Sequence, residues 1–236
     1  MAIGNITPDS FYSTSRLLDA HHIVQWALDS LKNGATILDI GGCSTRPGCA
    51  LVSASTEWDR VSFALSTLRE AVPQAQLSLD TFRPEIARMA LEQFGSMIIN
   101  DISGGDEDMW EIVHYWEIPY VWTLRGDFNL PTLYPERNQT NIILDPGIGF
   151  TSSIESDFNC LRHLHTLQQY NRPILIGVSR KSMLYKPLGI SADESLIPTQ
   201  VAQFYALEQG ASILRTHDVK ETIQTITLFE SLNTNL

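Results

Sequence analysis

The sequence is short of cysteine, of positive charge and of any long apolar run, and each shortage removes a class of answer. Cys43, Cys49 and Cys160 are its three cysteines in 236 residues. That is an odd number in a chain large enough to bury a core without staples, so a reducing, cytoplasmic setting is expected. Cys43 and Cys49 flank Ser-Thr-Arg-Pro-Gly with no further Cys nearby, which is not a zinc spacing. Lys and Arg number 16 against 27 Asp and Glu, a net charge of −11. Nucleic acid and anionic membrane are therefore not expected as general partners. Any anion must instead be held by a local cluster of cations. No run approaches the roughly 20 apolar residues of a membrane span. No basic region followed by an apolar block opens the chain, so no signal peptide is expected.

What is present is a regular alternation. Strand-like segments fall at 1–6, 35–41, 76–81, 96–102, 119–124, 141–147, 173–179 and 212–218. Helical periodicity fills most of the gaps, at 17–33, 56–72, 84–94, 107–115, 155–169, 199–209 and 219–232. Pro84 stands at a first-turn position, and Gly34, Gly95 and Gly210 fall where helices should stop. Strands alternating with helices predict a parallel (β/α)8 TIM barrel of the α/β class, with a doubly wound open sheet as the rival. A single domain over 1–236 is expected, since nothing reads as a linker, repeat or low-complexity segment. One gap breaks the rhythm. Residues 125–140 carry Gly126, Pro131 and Pro135 with no helical period, so the fifth outer helix is expected to be replaced by a loop.

In a barrel the chemistry sits at the C-terminal ends of the strands. Nearly every strand here ends in a polar group: Asn5, Asp39, Asp80, Asn100 with Asp101, Asp145, Ser179-Arg180-Lys181, and Arg215 with His217. Period-two alternation puts Ser78 with Asp80 on one face, Ile98 with Asn100, Ile143 with Asp145, and Ile213 with Arg215 and His217. Taken singly these have bland explanations. An Asp at a strand end commonly caps a turn, a lone Lys is commonly solvated, and Arg with His can serve a structural network. As a set they are costly to bury without partners, which suggests a polar ligand. Asp80, Asn100 and Asp145 suit a flat heterocycle with an amino-imino edge, and Lys181 suits its acceptors. Arg215 and His217 form a fork for phosphate oxygens, with Asn5, Ser44, Thr45 and Arg46 adding to an anion pocket.

These residues lie in motifs that resemble those of the dihydropteroate synthase family, in that family's order: Asn5–Phe11, Asp39–Gly48, Leu77–Asp80 with Thr81, Ile99–Gly105, Leu144–Phe150, Gly177–Ser182 and Arg215–Asp218. Such a set is far more specific than any lone glycine-rich loop. The resemblance implies a TIM-barrel transferase of folate biosynthesis, a homodimer that joins p-aminobenzoate to the methylene carbon of a dihydropterin diphosphate and releases pyrophosphate. It implies that Asn5 helps hold Mg2+, that Asp80, Asn100, Asp145 and Lys181 bind the pterin, and that Arg215, His217 and Thr45 grip the diphosphate. It further implies that Arg46, Pro47, Phe150, Arg180 and Ser182 shape the p-aminobenzoate slot. Asp9 and Phe11 would lie in a mobile loop, with Asp9, Lys181 and Arg215 serving catalysis. A pterin-binding paralogue with reduced or no turnover stays open as an alternative.

The chain departs from the family pattern in several places. It starts almost on its first strand, Thr123 and Leu124 stand where a Met-His-Met run is usual, and Thr151-Ser152-Ser153 replaces a Gly-Lys-Thr. Cys43 replaces a usual Glu. Packing of Phe128, Leu130 and Leu133 is expected to cover the place of the absent helix.

Overall fold

The computed structural model describes residues 1–7, 19–43, 51–126, 128 and 141–233. By contacts the chain divides into two units, Met1–Tyr120 and Val121–Leu236.

In the first unit strands and helices alternate as β1 (Ala2–Asn5), α1 (Ala20–Lys32), β2 (Ile37–Gly41), α2 (Ala54–Ala71), β3 (Gln76–Asp80), α3 (Pro84–Phe94), β4 (Ile98–Asp101) and α4 (Glu107–Trp116). Local chemistry sets the helix starts. Asp19, Ser53 and Asp106 accept from the backbone N–H groups of His22, Thr56 and Met109, and Pro84 opens α3. The strands pair in parallel in sequence order, β1 to β4. One side of this sheet faces the helices. A β-carbon on Gly4 would stand 2.6 Å from Trp26 of α1, and the residues of like parity, Leu38, Ile40, Leu77, Leu79 and Ile99, are almost wholly buried. Each such side chain contributes about 2 kcal/mol on burial. The helix-facing side thus carries the stability, which leaves the other side able to hold polar groups.

In the second unit the order is β6 (Ile142–Asp145), α5 (Ile154–Arg162), a 3-10 helix (Leu164–Tyr170), β7 (Leu175–Ile176), α6 (Ser182–Tyr185), α7 (Leu196–Glu208), β8 (Ile213–Leu214) and α8 (Val219–Asn233). Leu144 bridges Ile174 in parallel, and β7 pairs with β8 through Leu175–Ile213 and Ile176–Leu214. β5 (Tyr120–Thr123) spans the division between the units. Ile99 N–H donates to the Pro119 carbonyl just before it, and Leu124 N–H, just after it, donates to Asp145. The fold class is the expected one, α/β with parallel strands and alternating helices of the (β/α)8 kind.

The structure differs from expectation in detail. The last two strands are shorter than their apolar runs, so their polar ends lie on loops. The helix expected over 155–169 breaks at His163, and a 3-10 turn follows that puts Leu164 and Leu167, three apart, on one buried face. The short α6 has no periodicity from which to read it. The segment expected to replace the fifth outer helix lies largely outside the described residues, as do Leu130 and Leu133; Phe128 is half-buried, and its carbonyl accepts from the Tyr170 hydroxyl at 3.0 Å.

Polar groups are buried in both units. In the first, Glu57 of α2 is fully buried, accepts the Thr81 hydroxyl at 2.6 Å and pairs with Arg83, which also donates to the Val52 carbonyl. Removing one partner of such a pair leaves a buried charge uncompensated. Arg83→Met is expected to destabilise the protein by about 3 kcal/mol, measured as a lower urea midpoint. A midpoint equal to the parent's would show that Glu57 does not depend on this partner.

Candidate functional site

The register of the first unit assembles a rim. Asn5 pairs with Gly41, Gly41 with Asp80, and Asp80 with Asn100. Parallel partners share a face, so these positions form one layer on the side away from the helices. Beneath it runs a second layer, Ile3, Asp39, Ser78 and Ile98. Gly41 brings no side chain to the upper layer, and its α-carbon lies beside the Asp80 side chain. Asp39, fully buried, accepts the Ser78 hydroxyl at 2.6 Å and the Asn100 amide nitrogen at 3.2 Å. A carboxylate only accepts, so Asn100 turns its NH2 down to Asp39 and its carbonyl oxygen away. Asp101, of opposite parity, has the bland role. It accepts from Ser103 N–H, the Ser103 hydroxyl and the Tyr120 hydroxyl, closing a turn.

The second unit carries the cations. Lys181 lies across the loop after β6, donating to the Ile148 carbonyl with its Nζ 5.0 Å from the centre of the Phe150 ring, a cation–π distance. Gly149 permits this, since a β-carbon there would fall 2.9 Å from the Lys181 stem. Asp157 pins the same loop through Gly149 N–H and the Thr151 hydroxyl, and Ser153 caps α5. The departure at Thr151–Ser153 is thus structurally self-sufficient. Asp145 accepts Gly147 N–H at 2.8 Å. Burial pushes its carboxyl above the ordinary value, while Lys181, the Gly147 N–H and Arg215 pull it down and offset this only in part. Both cations therefore act on one carboxylate. Thr123 is buried at the tip of β5, and its hydroxyl has no partner among the described residues.

Arg180 turns inward. Its Nε and Nη2 donate to the two Asp218 oxygens at 2.9 and 2.8 Å, and its Nη1 to the Ala192 and Asp193 carbonyls. Ser182 begins α6, and His217 follows on the loop after β8. Asp9, Phe11, Ser44, Thr45, Arg46 and Pro47 lie outside the described residues. Sequence reasoning missed the supporting groups. Asp39 was visible as a polar strand end of the right parity, but its hold on Asn100, sixty-one residues away, was not. Asp218 stood within a motif without any sign of its partner.

The strand tips of this (β/α)8 chain carry carboxylates, an amide and cations, and strand tips are where such folds place their chemistry. The family model described as pterin binding enzyme matches residues 1–126 and 137–217. The dihydropteroate synthase of Streptococcus pyogenes is 34% identical, covering 98% of this chain and 94% of its own length. That comparison spans 260 positions against 236 residues here, so the relative carries residues that this chain lacks. Among solved structures, the Clostridium difficile dihydropteroate synthase in the presence of pteroic acid has a TM-score of 0.87 and 29% identity, covering 100% of this chain and 96% of that one. The Yersinia pestis dihydropteroate synthase with a sulfonamide drug complex has a TM-score of 0.86 at 29% identity, over 98% and 92%. The chain belongs to the dihydropteroate synthase family of pterin binding enzymes.

The raised carboxyl of Asp145 has a stability consequence. The folded state keeps this proton to higher pH than the unfolded chain, so the contribution is full below the ordinary value of 3.8 and lost as pH rises through the raised one. At pH above that window the ionised Asp145 weighs against folding. Asp145→Asn is expected to melt higher than the parent at neutral pH, with the margin shrinking as pH falls toward 3.8. Melting curves across that range check it; an Asn variant less stable at every pH contradicts it.

Proposed function

We propose that this chain catalyses the dihydropteroate synthase reaction. Dihydropterin diphosphate and p-aminobenzoate give 7,8-dihydropteroate and pyrophosphate. The observation that carries this reading is the rim of the second unit, where the half-buried carboxylate Asp145 feels both Lys181 and Arg215, in a chain that resembles dihydropteroate synthases along nearly all its length.

The assigned roles follow from side-chain chemistry. Asp80 and Asn100, and in the second unit Asp145 and Lys181, bind the pterin. Arg215, His217 and Thr45 take the diphosphate. Phe150, Ser182, Arg46 and Pro47 shape the p-aminobenzoate slot, with Arg180 acting from behind it. Asp9 serves catalysis. An aromatic amine is a weak nucleophile, so the carbon–oxygen bond to the diphosphate breaks first and the leaving group departs with the electron pair. Arg215 and Lys181 meet that developing negative charge, and the carboxylates favour the cationic pterin methylene. The amine nitrogen then bonds to this carbon and gives up a proton to water. No strong general base is required.

Mg2+ fits the residues present. Among the described residues no cluster of three or more His, Cys, Asp or Glu could hold a metal. Asn5 offers one hard amide oxygen, the kind of sparse protein ligation that suits a cation carried mainly by phosphate oxygens and water. When bound, the ion would supply charge neutralisation at the diphosphate.

A second copy of the chain is the partner we assign, and α7 supports it. Its buried face holds Thr199, Ala202, Gln203 and Ala206, while Ile197, Val201 and Tyr205 are exposed in one stripe, with Leu228 and Leu232 exposed on α8. Thr222 of α8 donates to Gln203 within the seam between the two helices. A helix with its bulky residues outward is built to be covered. No helix among the described residues is long and apolar enough to cross a membrane, and a cytoplasmic location is proposed.

Two experiments test these readings. In a coupled assay, pyrophosphate release should require both substrates, a sulfonamide should compete with p-aminobenzoate, and Arg215→Met should lower kcat/KM by about a hundredfold. Binding of the pterin diphosphate without release would leave a binder rather than an enzyme. Sedimentation should give a dimer for the parent and a monomer for Val201→Glu; a monomeric parent refutes the assigned partner.

A further inference from the structure

Two cations converge in the second unit. A β-carbon on Gly177 would stand 3.9 Å from the Lys181 ammonium and 3.9 Å from the Arg215 Cβ and Cδ. Two cations beside one glycine repel, and they ride on different loops, Lys181 after β7 and Arg215 at the end of β8. Those loops are tied to each other by side chains. Arg180 grips Asp218 with two parallel hydrogen bonds, at 2.9 and 2.8 Å, and both side chains are only 9% exposed. The planar fork of arginine makes such a pair directional. The same guanidinium reaches the carbonyls of Ala192 and Asp193, at 3.0 and 2.7 Å, just before α7. Its backbone N–H donates to the Thr199 hydroxyl of α7. Beside it, His217 N–H donates to the Ser179 hydroxyl at 3.2 Å, and Asp218 N–H to Thr216. Arg180 itself has φ of +55°, a conformation that side chains other than glycine's seldom adopt. Such a conformation persists where its surroundings over-determine it.

We propose that Arg180 and Asp218 form a positioning clamp, which sets the separation of Lys181 and Arg215 before substrate arrives. This rests on the reading above, in which Lys181 meets the pterin and Arg215 the diphosphate. Arg180 then acts through its neighbours and is not itself a ligand contact. A clamp of this kind has a signature. It matters little to a ligand that uses one cation and greatly to a ligand that must use both at once.

Three probes separate the cases in calorimetry with Mg2+: pyrophosphate, 6-hydroxymethyl-dihydropterin, and the joined dihydropterin diphosphate. The variants are Asp218→Asn, which removes the charge but keeps the shape, and Arg180→Lys, which keeps the charge but loses the fork. In both, the two fragments should bind within about twofold of the parent, while the joined ligand should lose on the order of tenfold in affinity. In turnover, KM for the pterin diphosphate should rise more than kcat falls. Should one variant fail to fold, the other carries the comparison. Equal losses for all three probes, or no loss for the joined ligand, overturn the clamp. A parent that binds neither fragment nor the joined ligand overturns the reading of the site, and the clamp with it.

Discussion

Parallel pairing in register is the constraint on which the rest depends. When strands run the same way with partners level, residues of equal parity stack into layers across the sheet. Here that places Asn5, Gly41, Asp80 and Asn100 level on one side, with Leu38, Ile40, Leu77 and Leu79 on the other. A slip of one residue in β2 or β3 would drive a carboxylate into the helix layer and turn a leucine to the polar side. The apolar layer holds the register because burying it is the main source of stability, and the polar layer is positioned as a by-product.

The polar layer still has to be accommodated. A carboxylate taken from water destabilises the fold unless something meets it. The molecule answers differently at each acid. Asp39 is matched by a hydroxyl and an amide, Glu57 by an arginine and a hydroxyl, and Asp101 by a turn and a tyrosine. Asp145 is left under-compensated, its carboxyl raised although two cations act on it. Acids that are fully satisfied support structure. Of these four, Asp145 is the one assigned to an incoming ring, an ordinary exchange of stability for function.

The cations follow the same logic with the sign reversed. Lys181 leans on a carbonyl and an aromatic face, and Arg180 is consumed by protein acceptors. Neighbours in the chain, both were read from sequence as ligand contacts, one for the pterin and one for the p-aminobenzoate slot, yet their surroundings differ. Adjacent residues on a loop point to different sides, and no periodicity reports which way a loop residue turns.

Much of the fold was legible, because alternation and helix caps are local. The polar strand ends at Asp80, Asn100 and Asp145 could be placed on their faces by parity alone. The break at His163, the short α6 and the shortened last strands could not, since each depends on what packs against it. The identity and order of the site residues, and the face on which each strand presents them, belong to the linear chain, since both follow from motif and a period of two. Which acid orients Asn100, which cation is tied to Asp218, and which carboxylate is left short of partners belong to folding, since each is an interaction between residues tens of positions apart whose distance no local rule encodes.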